Sequence, residues 1–297
     1  MNLRRLETLY WAVRLGSFKA TAEKLNSTQS TVSMRIQELE RELGVTLFDR
    51  SPGMVRPTEI GRDLIPYVEQ VLRSAAEMND RLAETGMNSG RIRIGVAEVV
   101  SMSWLPQLVA ALRVRYPRVQ VEIEEALTRQ LEQGLESGRL DLVLAPGGNQ
   151  NGRYLVRDLG AVEFAWMSGP SLCCPDTVYT PSDLAEMPMI SLAEESYHTI
   201  SITEWFNNHP RTANAGTCQS MGVAASLAIS GLGITLLPVK CYDEALARGH
   251  LIRLRTSTAF PLIPFRAMVA PPTTGRLALN VAELAAEIST FLNTAEE

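Results

Sequence analysis

The chain has 297 residues, 45% of them hydrophobic and 21% charged, with a formal net charge of −5. That length is enough for about two domains, each with a core of its own. No apolar run reaches the roughly 18 residues a membrane span needs, and no charged-then-apolar leader opens the chain, so a cytoplasmic protein with no membrane partner is expected. Four cysteines (Cys173, Cys174, Cys218, Cys241) and three histidines (His198, His209, His250) show no zinc-ligand spacing, so neither a metal nor another cofactor is expected; reduced thiols are the simplest reading.

Leu3, Leu6, Tyr10 and Val13 form the apolar face of a first helix. A second short helix is expected over residues 17–25, with Phe18, Ala22 and Leu25 on one face. Asn26 tolerates the left-handed backbone of a sharp turn, and either Ser27 or Thr28 can cap a third helix. In that helix Val32, Ile36, Leu39 and Leu43 form the expected buried stripe, and Gly44 stops it. Thr28, Gln29, Ser30, Ser33 and Arg35 are left facing outward. These side chains suit base edges and phosphates in a major groove, although two amphipathic helices around a polar turn also occur in many other α-helical domains. Leu47 to Arg50, a Pro/Gly-bounded hairpin over residues 51–57 and Thr58 to Gly61 then suggest a wing running into a long helix.

At this point the chain resembles the LysR-type transcriptional regulators. The resemblance rests on Leu25, Gln29, Ser33, Ile36, Leu39-Glu40, Leu43-Gly44, Leu47-Phe48, Arg50 and Thr58 to Gly61. It departs from the family pattern at Thr21-Ala22, where a pair of small residues is usual, and at Met34, where a basic residue is common. It implies a winged helix-turn-helix over residues 1–57 that binds double-stranded DNA at a dyad-symmetric operator. Gln29, Ser30 and Ser33 would read bases, while Thr28, Thr31, Arg35, Arg50 and Arg56 would hold phosphates or the adjacent minor groove. Residues 1–61 carry 9 Lys or Arg against 7 Asp or Glu, a weak basic surplus, so useful affinity needs a homodimer or homotetramer.

A helical stripe follows at Ile60, Leu64, Tyr67-Val68, Val71-Leu72, Ala75, Met78 and Leu82, with Pro66 set to kink it. Such a helix, roughly 40 Å long at 1.5 Å per residue, would expose its stripe unless it packs on its own domain or pairs with a second copy. The resemblance favours pairing and makes residues 58–86 a dimerising linker. Residues 87–90 then read as a hinge.

Beyond the hinge, strands and helices alternate. Strands are expected at 91–96, 119–124, 141–144, 162–167, 189–191, 234–236 and 265–269, and helices at 104–116, 127–138, 202–208, 219–230 and 277–292. That order argues for an α/β domain with a mainly parallel sheet. Ile94-Gly95, Pro106, Tyr116-Pro117, Gly138 to Leu142, Gly231 to Ile234 and Leu237-Pro238 resemble landmarks of the family's effector-binding domain, which is similar to periplasmic binding proteins. The implied arrangement is two α/β lobes, lobe I from 91–160 and 266–297 and lobe II from 161–265, with a small-molecule effector between them.

Ligands of such folds sit at strand carboxyl ends and helix amino ends. That rule selects Glu98, Val99, Val100, Ser101 and Thr128 on one side, and Thr199, Ser201, Ile202, Ser220, Met221 and Phe265 on the other. Each hydroxyl alone is equally a helix cap. A carboxylate at residue 98 fills positive potential at a helix amino end, so the effector is expected to be neutral or to carry an amine or hydroxyl. Arg129 and Arg266 are candidate clamps that leave a monocarboxylate open, and Glu98 pointing to solvent is the alternative reading. No enzyme is expected: GxGxxG, phosphate-loop and GxSxG motifs are all missing. A small-molecule-binding protein with no role in transcription is the alternative, but it leaves the first 60 or so residues unexplained.

Overall fold

The computed structural model describes residues 2–25, 27–49, 56–84, 89–147, 154–193, 197–206, 214–270 and 276–293, with backbone alone for 76–84, 89, 198–200 and 214. The expectations for Asn26, Arg50, residues 51–55 and hinge residues 87 and 88 lie outside the described residues, as do the side chains of Met78, Leu82, His198 and Thr199.

The amino-terminal head packs α1 (Leu3–Leu15), α2 (Phe18–Lys24) and α3 (Gln29–Leu43) around one small core. Local chemistry sets the ends of the helices. Asn2, Ser17 and Thr28 side chains accept from Arg4, Ala20 and Thr31 amides, so Thr28 and not Ser27 is the α3 cap. Gly44 closes α3 at φ 70°, a left-handed conformation that a residue with a Cβ resists. Val32, Ile36 and Leu39 are buried, but Leu43 is 38% exposed. The helix has outrun the core by its last turn, so the expected stripe is one residue too long. Leu3, at the start of α1, is exposed for the same reason; the Arg5 ion pairs to Glu38 and Glu42 bring that start beside the last turns of α3.

The wing strands β1 (Phe48–Asp49) and β2 (Arg56–Pro57) pair antiparallel, Phe48 opposite Pro57 and Asp49 opposite Arg56. Phe48 is buried and meets Phe18 edge-on at 5.4 Å between centroids. The expected long helix is divided into α4 (Glu59–Asp63) and α5 (Ile65–Glu84). The break falls at Leu64, two residues before Pro66, whose ring nitrogen cannot donate to the carbonyl of Arg62. Val68 and Leu72 turn into the head core, while Ile60, Tyr67 (68% exposed) and Val71 face outward. The stripe is thus shared between the head and an uncovered face.

The second domain holds two lobes. In lobe I, β3 (Ser89–Val96), α6 (Glu98–Met102), α7 (Leu105–Arg115), β4 (Arg118–Glu125), α8 (Thr128–Glu136), β5 (Leu142–Pro146) and β6 (Leu155–Val162) come in chain order. Ser89 and Gly90, expected in the hinge, already pair with Arg118 and Val119. The chain then builds lobe II with β7 (Phe164–Ser168), β8 (Val178–Tyr179), α9 (Pro181–Ala185), β9 (Met189–Leu192), α10 (Tyr197–Trp205), β10 (Asn214–Cys218), α11 (Met221–Ile229), β11 (Thr235–Pro238), a 3-10 turn (Val239–Tyr242), α12 (Asp243–Ala247), β12 (Ile252–Arg253) and β13 (Arg255–Thr256). It returns to lobe I through β14 (Ile263–Val269) and α13 (Arg276–Ile288).

The lobe I sheet has the order β4-β3-β5-β14-β6, parallel between β3 and its two neighbours and antiparallel across β14. Lobe II holds β11-β7-β12 and the parallel pair β10-β9, joined by a bridge between Met189 and Ile234. The mainly parallel expectation therefore fits half of lobe I. The returning strand enters it antiparallel, because the chain comes back from the opposite lobe. The sequence landmark at residues 138–142 acquires a physical cause: Asp141 accepts from the Arg93 amide (2.8 Å), Nε (3.0 Å) and Nη2 (2.7 Å), fixing the entry to β5 beside β3.

Candidate functional site

Two regions carry the chemistry. The first is the start of α3. Gln29 and Ser30 are exposed, Ser33 and Arg35 are half-buried, and Met34 is 52% exposed on the same helix. The Thr28 hydroxyl lies 2.9 Å from Ser30 Oγ and 2.8 Å from Thr31 Oγ1, so three hydroxyls form one small network at a helix amino end. Free N–H groups and positive potential at that end favour a phosphate oxygen. Glu40 fixes the wing relative to this helix: its Oε1 accepts the amides of Leu47 (2.7 Å) and Phe48 (3.2 Å). Thr58 completes the tie, donating its amide to the Leu47 carbonyl and its hydroxyl to that of Thr46. Gly61 lies so close that a Cβ would stand 2.3 Å from the Leu47 oxygen. Arg56 sits on exposed wing strand β2.

The second region is the cleft between the lobes. A cavity of about 160 Å³ is lined by Ala97, Glu98, Val99, Glu125, Ala126, Leu127, Thr128 and Gln130 from the β3, β4 and α8 ends of lobe I, with Pro146. Leu192, Gln219 and Met221 face it from lobe II. Of the expected effector residues, Glu98, Val99, Thr128 and Met221 line it directly. Ser220 stands behind them as the cap of α11, accepting from the Gly222 and Val223 amides. Val100, Ile202 and Phe265 are buried packing residues instead; Phe265 is 0% exposed and meets Phe291 at a tilt of 58°, 4.9 Å between centroids. Ser101 and Ser201 are half-buried and not among the described lining. Arg129 and Arg266 are absent from that lining too, so neither is placed as a carboxylate clamp.

Glu98 corrects the sequence reading in one respect. Its carboxylate does not serve its own short helix or solvent. It crosses to lobe II, where Oε1 accepts from the Ser220 hydroxyl (2.8 Å) and the Gly222 amide (3.1 Å), and Oε2 from the Met221 amide (2.6 Å). The positive potential it fills belongs to α11, whose amino end points at it. Nearby phenol and thiol groups respond to this charge. Burial first, and then the Glu98 charge, push the Tyr242 phenol well up; burial, then Asp243 and Glu98, push the Cys241 thiol up to about 11. Glu125 adds a second carboxylate to the cavity wall. Sequence reasoning missed it, although its place at the last residue of β4, beside Val96 at the end of β3, follows the strand-end rule that selected Glu98.

The comparisons with known proteins agree with this division. Residues 3–62 match the family described as "Bacterial regulatory helix-turn-helix protein, lysR family", and residues 85–287 match the "LysR substrate binding domain". A chain that is a ligand-binding domain alone therefore has no support. The HTH-type transcriptional activator AmpR of Rhodobacter capsulatus is 30% identical over 264 residues, 84% of each chain. A probable RuBisCO transcriptional regulator of Emiliania huxleyi is 34% identical over 147 residues, and that match spans only about half of each chain (49% of this one, 46% of the relative). Among solved structures, ArgP from Mycobacterium tuberculosis superposes with a TM-score of 0.68 at 21% identity, covering 97% of both chains. A full-length variant of OxyR from Pseudomonas aeruginosa gives 0.66 at 23%, covering 98% of this chain and 96% of that one. The chain belongs to the LysR family of helix-turn-helix transcriptional regulators, with a DNA-binding head joined to a two-lobed effector-binding domain.

Proposed function

We propose that this regulator binds a dyad-symmetric operator as a dimer or tetramer and changes its grip when a small molecule enters the inter-lobe cleft. The observation that carries the reading is the coexistence on one chain of an exposed polar α3 start beside a wing and a cleft closed between two lobes. Gln29, Ser30 and Ser33 read bases, while Thr28, Thr31, Arg35 and Arg56 hold backbone phosphates or the adjacent minor groove. Arg50 has the same assigned role but lies outside the described residues. The outward face of α5 at Tyr67 and Val71 takes the second copy. The chemistry of the chain is binding and not catalysis.

The effector is a small molecule bearing hydrogen-bond donors, neutral or with an amine. The cavity wall holds Glu98 and Glu125, and no described arginine or lysine lines it. An ionised carboxylate has about four acceptor positions. Among the described residues Glu98 uses two on Oε1 and one on Oε2, so one position on Oε2 is left to accept from an effector's donor. A volume near 160 Å³ suits a molecule of roughly benzene size, by analogy with an engineered cavity of about 150 Å³ that takes benzene.

Nuclease footprinting on the DNA upstream of the reading frame, at two salt concentrations, tests the first part. Dyad-symmetric protection that persists at moderate salt is expected, and uniform salt-sensitive coverage counts against it. Isothermal titration of small amines, polyols and dicarboxylates tests the second. Tight dicarboxylate binding sinks the proposed effector class.

A further inference from the structure

We propose that Glu98 is a tethered latch that holds the two lobes closed with no effector bound. In a two-lobed binding fold, closure ordinarily needs a ligand that touches both lobes at once, since each lobe alone has no preference for its partner's position. Here the bridging group is part of the chain. Glu98 leaves β3 of lobe I at the first turn of α6, and all its described hydrogen bonds go to residues 122 to 124 positions away in lobe II. Charge-assisted bonds are roughly twice as strong as neutral ones, and this carboxylate is half-buried, where water competes less.

The partner surface is built to receive it. The Met221 and Gly222 amides are first-turn donors of α11, which no residue of that helix can satisfy. The Ser220 hydroxyl donates to Glu98 while its lone pairs accept the Gly222 and Val223 amides, so one side chain caps the helix and binds the latch. Opening the lobes would return the Ser220 hydroxyl, the Met221 amide and a carboxylate to water together, and leave the Gly222 amide with Ser220 alone. The resting state is therefore the closed one. An effector of about the cavity's size adds to closure by donating to the remaining Oε2 position, whereas a larger one has to release Glu98 first.

The test needs neither DNA nor effector, so it stands apart from the proposed effector class. Hydrogen exchange of the full chain is compared for wild type, Glu98→Ala and Ser220→Ala. Exchange at the Met221 amide is expected to accelerate roughly 10- to 100-fold in Glu98→Ala, the range expected for losing a charge-assisted bond, and less at Gly222, which keeps Ser220, with the core amides of β3 and β7 unchanged. Ser220→Ala should produce a smaller acceleration at Gly222. Formate should restore protection to Glu98→Ala in a concentration-dependent way and leave wild type unaffected. Unchanged exchange at 221 and 222, or an equal response of both proteins to formate, overturns the latch. Acceleration throughout the β3 and β7 core of Glu98→Ala would mean a general loss of stability and likewise reject a localised latch.

Discussion

Replacing Glu40 tests whether the reading head owes its geometry to one carboxylate. Glu40 is half-buried on α3, and its Oε1 alone accepts the Leu47 and Phe48 amides at 2.7 and 3.2 Å. Both donors belong to residues buried in the head core, so water cannot easily take over. A hydrogen bond to a charged group contributes about 1.5–3 kcal/mol, and the 3.2 Å bond lies at the weak end. Glu40→Ala should thus cost about 2–4 kcal/mol in the stability of the head. It should also weaken operator binding, because the wing loses its tie to α3. Glu40→Gln retains the oxygen that accepts both amides, so its cost should stay below about half that of alanine. The assay is urea titration followed by circular dichroism, paired with operator affinity. If glutamine proves as damaging as alanine, the shared-acceptor geometry is wrong. If alanine costs less than about 0.5 kcal/mol, the wing is held by its packing instead.

The division between base and phosphate contacts predicts a contrast. Ser33→Ala should weaken binding to the operator by roughly 1–3 kcal/mol and leave non-specific binding alone, whereas Arg56→Ala should weaken both and reduce the salt slope by about one unit. Identical behaviour of the two variants, read by fluorescence anisotropy across a salt series, would remove the assignment. Lys24 predicts a pH effect. Burial first, and then the Arg93 guanidinium, push its ammonium down to about 8, while its cation stands 4.6 Å over the Trp11 ring. The unfolded chain keeps that proton to about pH 10.4, so this group's contribution to stability rises with pH between about 8 and 10. The stability of wild type relative to Lys24→Met should therefore increase over that window, and a falling difference would contradict the burial. Cys241, with its thiol held up to about 11, stays protonated and slow to react at about pH 8, so a thiol reagent should label exposed Cys174 first. Mass spectrometry of partly labelled protein decides the order, and early modification of Cys241 would refute it.

What the sequence settled by itself was local. A cap at Ser27 or Thr28, the stop at Gly44 and the stripe of Val32, Ile36 and Leu39 depend on neighbours within one or two helical turns, and such signals are written in consecutive residues; the choice of Thr28 came only with the structure. The alternation of strands and helices after residue 90, and the strand-end rule that picked out Glu98 and Thr128, belong to the same class. Leu43 and Leu3 escaped the rule because periodicity continues past the edge of a core whose extent only packing sets. The stripe of α5 was legible, but its division between the head and an outward face was not, since both faces are apolar. Glu98 shows the limit most clearly. A carboxylate at a strand end was visible in the chain, yet its partners at Ser220, Met221 and Gly222 lie more than 120 residues away. Only the closing of one lobe on the other brings that charge to the amino end of α11, because helix-end potential is felt within a turn's length in space, however far apart the residues stand in sequence.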